Sequence, residues 1–464
     1  MKKIIILSFV LLSAVSCSDF LEHEPVESIS INTQLSTKKG MLQALNGVYY
    51  EIRATYFSEV NYTYGDLLGG NLKFSPRSSG SISIAANVQN IYQFDDDTSD
   101  SDLSGFYGNC YDVINNINLI IQYVDDLPDA TTAEIHEIKA EALALRAFTH
   151  FQLYKYYSQN YTYTSDASHL GVVYNTAPLK VGADYPSRKT VAETFTLLEN
   201  DISQALLFIQ PDQVIPTGER INFITPAAVK TIAAEIALWK NDWQKAYDYS
   251  NDIITNSGIS LTPKNELVSN WATSERIWEI GKTVNASPLQ GLYNIGLTTY
   301  ANYVASDDIY NLYTSDDLRK NLFEAKNIKT GTTMVPYNFT KKYTGDTSNL
   351  VYRLSLLYFI RAEAALHLGN TSQALADINT VRNRAGLAAL NSISIDILLE
   401  EKRKEFVFEN QYFFDLMRNH KNIIRNNGCI SNNCNPTYPS TKFVVPIPFK
   451  SLNINSNMQQ NPGY

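Results

Sequence analysis

The sequence predicts a mainly α-helical protein: tetratricopeptide-like helix pairs form a scaffold, and long, irregular, loop-rich insertions interrupt it. Three observations carry that reading. Apolar residues recur every three or four positions through most of the chain. Two segments far apart repeat one another as helix, tight polar turn, helix. Two long stretches, 56–105 and 258–350, break the period with Gly, Ser, Asn, Asp and Tyr.

The first residues stand apart from this scaffold. Lys2 and Lys3 precede an apolar run from Ile4 to Leu12, and Ala14, Val15 and Ser16 lead into Cys17. That is the layout of a secretory signal peptide over residues 1–16, too short to span a bilayer as a mature helix. The small residues before Cys17 form a bacterial lipobox, which predicts Cys17 as the lipidated first residue of the mature chain. No later stretch approaches roughly 18 uninterrupted apolar residues. The whole chain has a formal charge of −9, and removal of the two lysines takes it to −11. An acidic chain without a basic cluster excludes nucleic acid as a main partner.

Helical periods follow in order. Tyr107, Cys110, Val113, Ile114, Ile117 and Ile120 mark one stripe, which Pro128 ends. The stripe places Cys110 as a small buried hydrophobe. The segment beginning TTAEIHE is long and alanine-rich, which favours close packing. The next, TVAETFTLLENDISQALLFI, keeps the period through Val191, Leu198, Ile202, Ala205 and Ile209. The repeat comes after it. Laid at an offset of 128, Ala234/Ala362, Glu235/Glu363, Ala237/Ala365, Leu238/Leu366 and Ala246/Ala374 coincide. Small residues facing each other across a turn let two helices approach closely, as in a tetratricopeptide repeat. Bulky Ile253 and Val381 depart from that pattern. The expected division is an N-terminal part over 17–225, with its loop insertion at 56–105, and a C-terminal part over 226–464. The second holds helix pairs at 226–256 and 350–386, a loop insertion at 258–350 and a terminal motif at 443–464.

Catalytic signatures are absent: there is no GxSxG, HExxH, Walker A or dinucleotide-type glycine pattern. The sequence therefore reads as a non-enzyme, although a glycosidase needs only two carboxylates. Glu401, Glu405 and Glu409, spaced by four and interleaved with Lys402 and Arg403, read as one ion-paired helical face, with Asp415 beyond. Arg361 and Glu363 read as members of similar structural pairs. Asp95, Asp97 and Asp100 resemble a calcium loop but lack its glycine and terminal glutamate, so they read as a solvated acidic turn. No cofactor or metal is expected. Cys429 and Cys434, five apart in an exported chain, can pair as a disulfide. Thirty tyrosines against four tryptophans leave many rings in the two insertions. Tyrosine offers a flat apolar face and a polar tip, which suits the C–H faces and hydroxyl edges of sugars and would also serve a peptide. On that chemistry the candidate ligand residues are Tyr62, Tyr64, Asp66 and Asn71 in the first insertion and Trp271, Tyr293, Tyr300 and Tyr303 in the second. The rings would stack, while Asp66 and Asn71 would bond hydroxyls.

Several segments together resemble the SusD/RagB family of Bacteroidetes lipoproteins. They are CSDFLE with Pro25, AEALALRAFTHFQLYKYY, AEIALWKNDWQKAYDYSNDII, YRLSLLYFIRAEAALHLGN, EEKRKEFVFENQYFFDLMR and the terminal VVPIPFKSLNINSNMQQNPGY. Two departures stand out: Tyr412 replaces an arginine of the family, and NSNMQ replaces its usual NPN. The resemblance implies an outer-membrane lipoprotein facing the cell exterior, with Asp19, Glu22 and Glu24 resembling the export signal. It implies capture of oligosaccharide for a SusC-type TonB-dependent transporter, or of peptide in the RagB branch. The shared motifs belong to the scaffold and transfer no ligand contacts.

Overall fold

The computed structural model describes residues 31–77, 79–180, 182–216, 218–281, 288–293, 301–343 and 349–464. Its longer helices are α1 (Lys38–Tyr56), α2 (Glu59–Leu68), α3 (Ser104–Tyr123), α4 (Thr132–Tyr157), α5 (Val191–Phe208), α6 (Pro226–Lys240), α7 (Trp243–Asn256), α8 (Leu354–His367), α9 (Thr371–Arg384), α10 (Ile395–Phe406) and α11 (Tyr412–Arg418). Seven of these eleven helices start at a residue whose side chain caps them. Thr131 and Thr190 close capping boxes with Glu134 and Glu193, satisfying amide groups that the first turns of α4 and α5 would otherwise leave unpaired. From α3 to α9 each helix packs on the next. Helix α4 is the spine, buried almost continuously from Glu137 to Tyr157. Its buried charges are matched: Arg146 grips Asp201 with two bonds of 2.8 and 2.6 Å, and Lys155 faces Glu235 at 3.6 Å. Burial pushes the His150 imidazole down to about 3, so it is neutral, stacked 3.7 Å from Tyr174.

The repeat read at an offset of 128 is reproduced atom for atom in its turns. Asn241 and Gly369 both take left-handed backbone, with φ of 62° and 79°. Asp242 N–H donates to Ala237 O as Asn370 N–H donates to Ala365 O, a C-terminal closure at the same offset. The side chains of Asp242 and Asn370 then cap α7 and α9. Ala234, Ala246, Ala362 and Ala374 are fully buried where the helices meet. Arg361 on α8 joins the layers, donating twice to Asp377 on α9 and once to Asn251 on α7.

The two insertions carry secondary structure that the sequence does not mark. Residues 56–105 contain α2 and strand β1 (Leu72–Phe74). Residues 258–350 contribute β2 (Arg276–Ile280), β3 (Tyr303–Ala305), β4 (Phe323–Thr330), β5 (Thr333–Thr340) and the start of β6 (Asn349–Arg353). An antiparallel sheet runs β1–β3–β5–β4, with Leu72 opposite Ala305, and β2 pairs with β6. Every residue of α2 from Asn61 to Leu68 is buried, so no polar face remains to produce a helical period.

The acidic turn keeps Asp95, Asp97 and Asp100 exposed, as its sequence suggests, and buries only Asp96. Asp97 accepts from Ser99 and Asp100 amides, whereas Asp96 is buried against Ser101 Oγ and the Asp102 amide. Among the described residues no group of three or more His, Cys, Asp or Glu is arranged to hold a metal ion. Burial pushes the Asp96 carboxyl up to about 7, and it raises Asp66 to about 6 and Glu141 to about 8. A carboxyl raised in this way stabilises the fold below its ordinary value and loses that contribution as pH rises through the shifted one. The urea midpoint is therefore expected to fall from about pH 4 to about pH 8. Asp96→Asn should remove the part of that fall that ends near pH 7, and an unchanged slope between about pH 4 and about pH 7 would show that Asp96 is not its source.

Candidate functional site

Most of the ligand residues expected from the sequence are interior. Tyr62, Tyr64, Asp66, Asn71, Tyr293 and Tyr303 are each 3% exposed or less, so in this structure they meet protein rather than solvent, and their placement on a ligand surface is corrected. Tyr62, Trp271 and Tyr293 converge on Tyr343, with ring centres 6.2, 5.8 and 5.5 Å from it, and Tyr303 packs behind Tyr293. Tyr64 lies among Tyr156, Phe413 and Phe414. Tyr303 donates to Glu59. Half-buried Trp271 lies against Lys342 and Arg353, roofing a buried ion network. The polar tip of tyrosine served burial at Tyr62 and Tyr303, whose hydroxyls find Tyr343 and Glu59 inside the fold. Cys17 and Tyr300 lie outside the described residues.

That network explains the glutamate run. Arg353 bonds Glu275, Glu405 and Glu409; Arg384 bonds Glu275 and Glu405; Arg319 bonds Asp317, Glu401 and Glu405. Helix α10 stops at Phe406, so Glu409 does not continue its face. It arrives from a turn in which Phe408 and Asn410 adopt φ of 68° and 58°. Glu363 and Asp415 are likewise consumed, by Arg418 and Lys402.

The surface opens instead beside α10 and α11. A groove of about 510 Å³ lies between these helices, Asp308 and the segment 421–426. Its chemistry begins with Asp66, which accepts from Asn71 Nδ2 at 2.7 Å and from the Asn410 amide at 2.7 Å. Asn71 Oδ1 in turn accepts from Arg403 Nε at 2.7 Å, and Gly70 O accepts from Nη2. So held, the Arg403 guanidinium lies 4.3 Å from the ring centre of Tyr412 in the groove lining. Burial raises the Tyr412 phenol while Arg403 opposes the rise. Arg403 forms no ion pair with a described residue. Asp66 and Asn71 thus act as supports one step behind the surface that the sequence assigned to them.

The opposite wall is locked by Arg425. This buried guanidinium pairs with no carboxylate among the described residues; it donates to the carbonyls of Tyr92, Asn433 and Cys434 and lies against the rings of Tyr92 and Phe94. Burial lowers its pKa to about 10. Cys429 and Cys434 form a disulfide that closes the same loop. Asp308 accepts from the Asn426 and Asn427 amides. Across the groove Lys421 pairs with Asp396, while Glu400 stays open to solvent.

Comparison with known proteins decides the family. Residues 269–464 match the SusD family, and residues 19–238 match a family described as starch-binding associating with outer membrane. The chain belongs to the SusD family. It is 22% identical to a SusD-like protein of Bacteroides ovatus over 89% of this chain and 82% of that protein. The structure of a SusD superfamily protein from Bacteroides thetaiotaomicron superposes with a TM-score of 0.81 at 25% identity, covering 92% of this chain and all of the other. Surface glycan-binding protein A from Bacteroides uniformis gives a TM-score of 0.75 at 18% identity, covering 92% of this chain and 99% of that one.

In this SusD-family chain the groove combines one aromatic ring, aliphatic Leu312, Leu399, Leu416 and Ile424, carboxylates, amides and the two cations Arg403 and Lys421. Its volume falls in the range of small-ligand clefts. Donors and acceptors of both signs around an apolar ring can hold a polyhydroxylated ligand edge-on. Sequence reasoning missed Tyr412 as a surface residue; its one signal was the departure from the family's arginine.

Proposed function

We propose that the protein is a non-catalytic oligosaccharide-binding lipoprotein of the outer membrane, anchored through Cys17 and passing its ligand to a SusC-type TonB-dependent transporter. The observation that carries the reading is the groove beside Tyr412, on a chain of the SusD fold that superposes on a surface glycan-binding protein. Sugar C–H groups would meet the ring and aliphatic wall, and hydroxyls would meet Arg403, Glu400 and Asn426. A lipid tether would keep the groove beside its pore and raise the effective concentration there without new contacts.

Titration calorimetry of residues 18–464 against neutral and acidic oligosaccharides, with peptides as the competing class, tests this. Binding of an oligosaccharide series is expected, with Tyr412→Ala weakening it about tenfold, or about 1.4 kcal/mol, at an unchanged melting temperature. Peptide binding with no oligosaccharide binding would overturn the reading.

A further inference from the structure

A second groove, of about 530 Å³, lies where three remote segments meet: residues 98–101 of the acidic turn, the first turns of α3, and residues 448–451. Its floor is bare helix. Gly105 and Gly108 sit on the outer face of α3, opposite buried Phe106, Cys110 and Val113. A Cβ at either glycine would meet nothing within 4 Å, and neither has positive φ. Packing and backbone geometry thus leave both positions free to carry a side chain, although glycine inside a helix is less stable than alanine by up to about 1 kcal/mol. A side chain at either position would stand in the groove.

The walls match that floor. Phe449 is 57% exposed, its backbone fixed by donation to Thr98 O at 2.9 Å. The side chains of Asp100, Ser104, Asn109, Asp112 and Ser451 form no hydrogen bond or ion pair with another described residue. In the Tyr412 groove, by contrast, Asp308, Arg403 and Lys421 are already engaged. Lys450 alone opposes the charges of Asp100 and Asp112, so the groove disfavours anions. Two unengaged carboxylates call for a ligand rich in hydrogen-bond donors, and an exposed ring beside them calls for an apolar face. A peptide offers one backbone donor per residue, whereas a neutral sugar offers a donor on each hydroxyl and C–H faces for the ring.

We infer that this groove is a second carbohydrate subsite, taking neutral oligosaccharides between Phe449 and the glycine floor of α3. The inference rests on the oligosaccharide reading above. Gly108→Gln fills the floor with a good helix former, and Phe449→Ala removes the wall. Both, with wild type and Tyr412→Ala, are titrated with malto-, cello-, xylo- and manno-oligosaccharides, short and long, and their melting temperatures are compared. For the series that binds, both groove variants are expected to weaken the long chains about tenfold or more, with melting temperatures unchanged or, for Gly108→Gln, raised. Binding that is sensitive to Tyr412→Ala but identical in Gly108→Gln and Phe449→Ala overturns the second subsite and leaves the first reading standing. Absence of binding by the wild type across these four neutral series overturns the second subsite; the first reading falls with it only if the acidic series also fail to bind.

Discussion

Glu405→Ala is expected to lower the free energy of unfolding at neutral pH by about 3–5 kcal/mol. Glu405 is 4% exposed and accepts from Arg353 Nη1 at 2.7 Å, from Arg319 Nη1 at 3.4 Å and from Arg384 Nη2. Burial by itself would raise this carboxyl; Arg384, Arg353 and Arg319 together hold it well below the usual carboxylate range. The variant leaves Arg319, Arg353, Arg382, Arg384, Lys342 and Lys404 sharing Glu275, Glu401, Glu409 and Asp317, an excess of positive charge in a buried network. Glu405→Gln should cost nearly as much, since the amide restores shape and one acceptor but no charge. Because the folded carboxyl is depressed, its contribution is present above about pH 4.5 and is lost as pH falls. Wild type and variants should therefore converge in acid. Urea unfolding at two pH values checks both statements. A loss under about 1 kcal/mol would show that the remaining acids can absorb the charge.

The same network shows where sequence reading reached and where it stopped. The scaffold was legible because its repeats are local: the Asn241 and Gly369 turns and their caps recur at one offset, and small residues mark the helix contacts. The Cys429–Cys434 pair was legible because only four residues separate the two cysteines. Helix α2 was not, since burial on every side from Asn61 to Leu68 leaves no polar face. The β1–β3 pairing joins Leu72 to Ala305, and no local pattern encodes a partner that distant. Tyrosine misled for a related reason. A ring with a hydroxyl serves a ligand surface and a core equally well, and only the fold reveals that Tyr62 donates or accepts across to Tyr343. Asp66 and Asn71 were placed near the right chemistry but one step too far forward, behind Arg403 rather than beside a ligand.

Arg188→Ala is expected to free the C-terminal segment and to cost about 2–5 kcal/mol, since each buried acceptor left without a donor costs about 1–3 kcal/mol. Arg188 donates to Gly171 O at 2.7 Å, Tyr157 O at 2.8 Å, Asn461 Oδ1 at 2.8 Å and Gln459 O at 3.2 Å. No carboxylate among the described residues pairs with it, and burial lowers its pKa to about 10, so the cation is held by neutral acceptors. Asn461 passes the grip onward, donating to Tyr157 O and Val445 O, while Gln460 ties Ile447 to Thr98. Arg188→Lys should rescue little, because one ammonium cannot reproduce a planar fork reaching acceptors on both sides. Hydrogen exchange is the direct measure: amides from 443 to 464 should exchange much faster in Arg188→Ala, while those of α6 to α9 stay protected. Uniform loss of protection across both regions would mean that Arg188 supports the whole fold rather than its tail. If the tail alone loosens, Phe449 loses its fixed place opposite Gly108, because its backbone bond to Thr98 depends on the tail being seated. The terminal QNPGY motif would then act as the fastening of a groove wall, with Arg188 as its clasp.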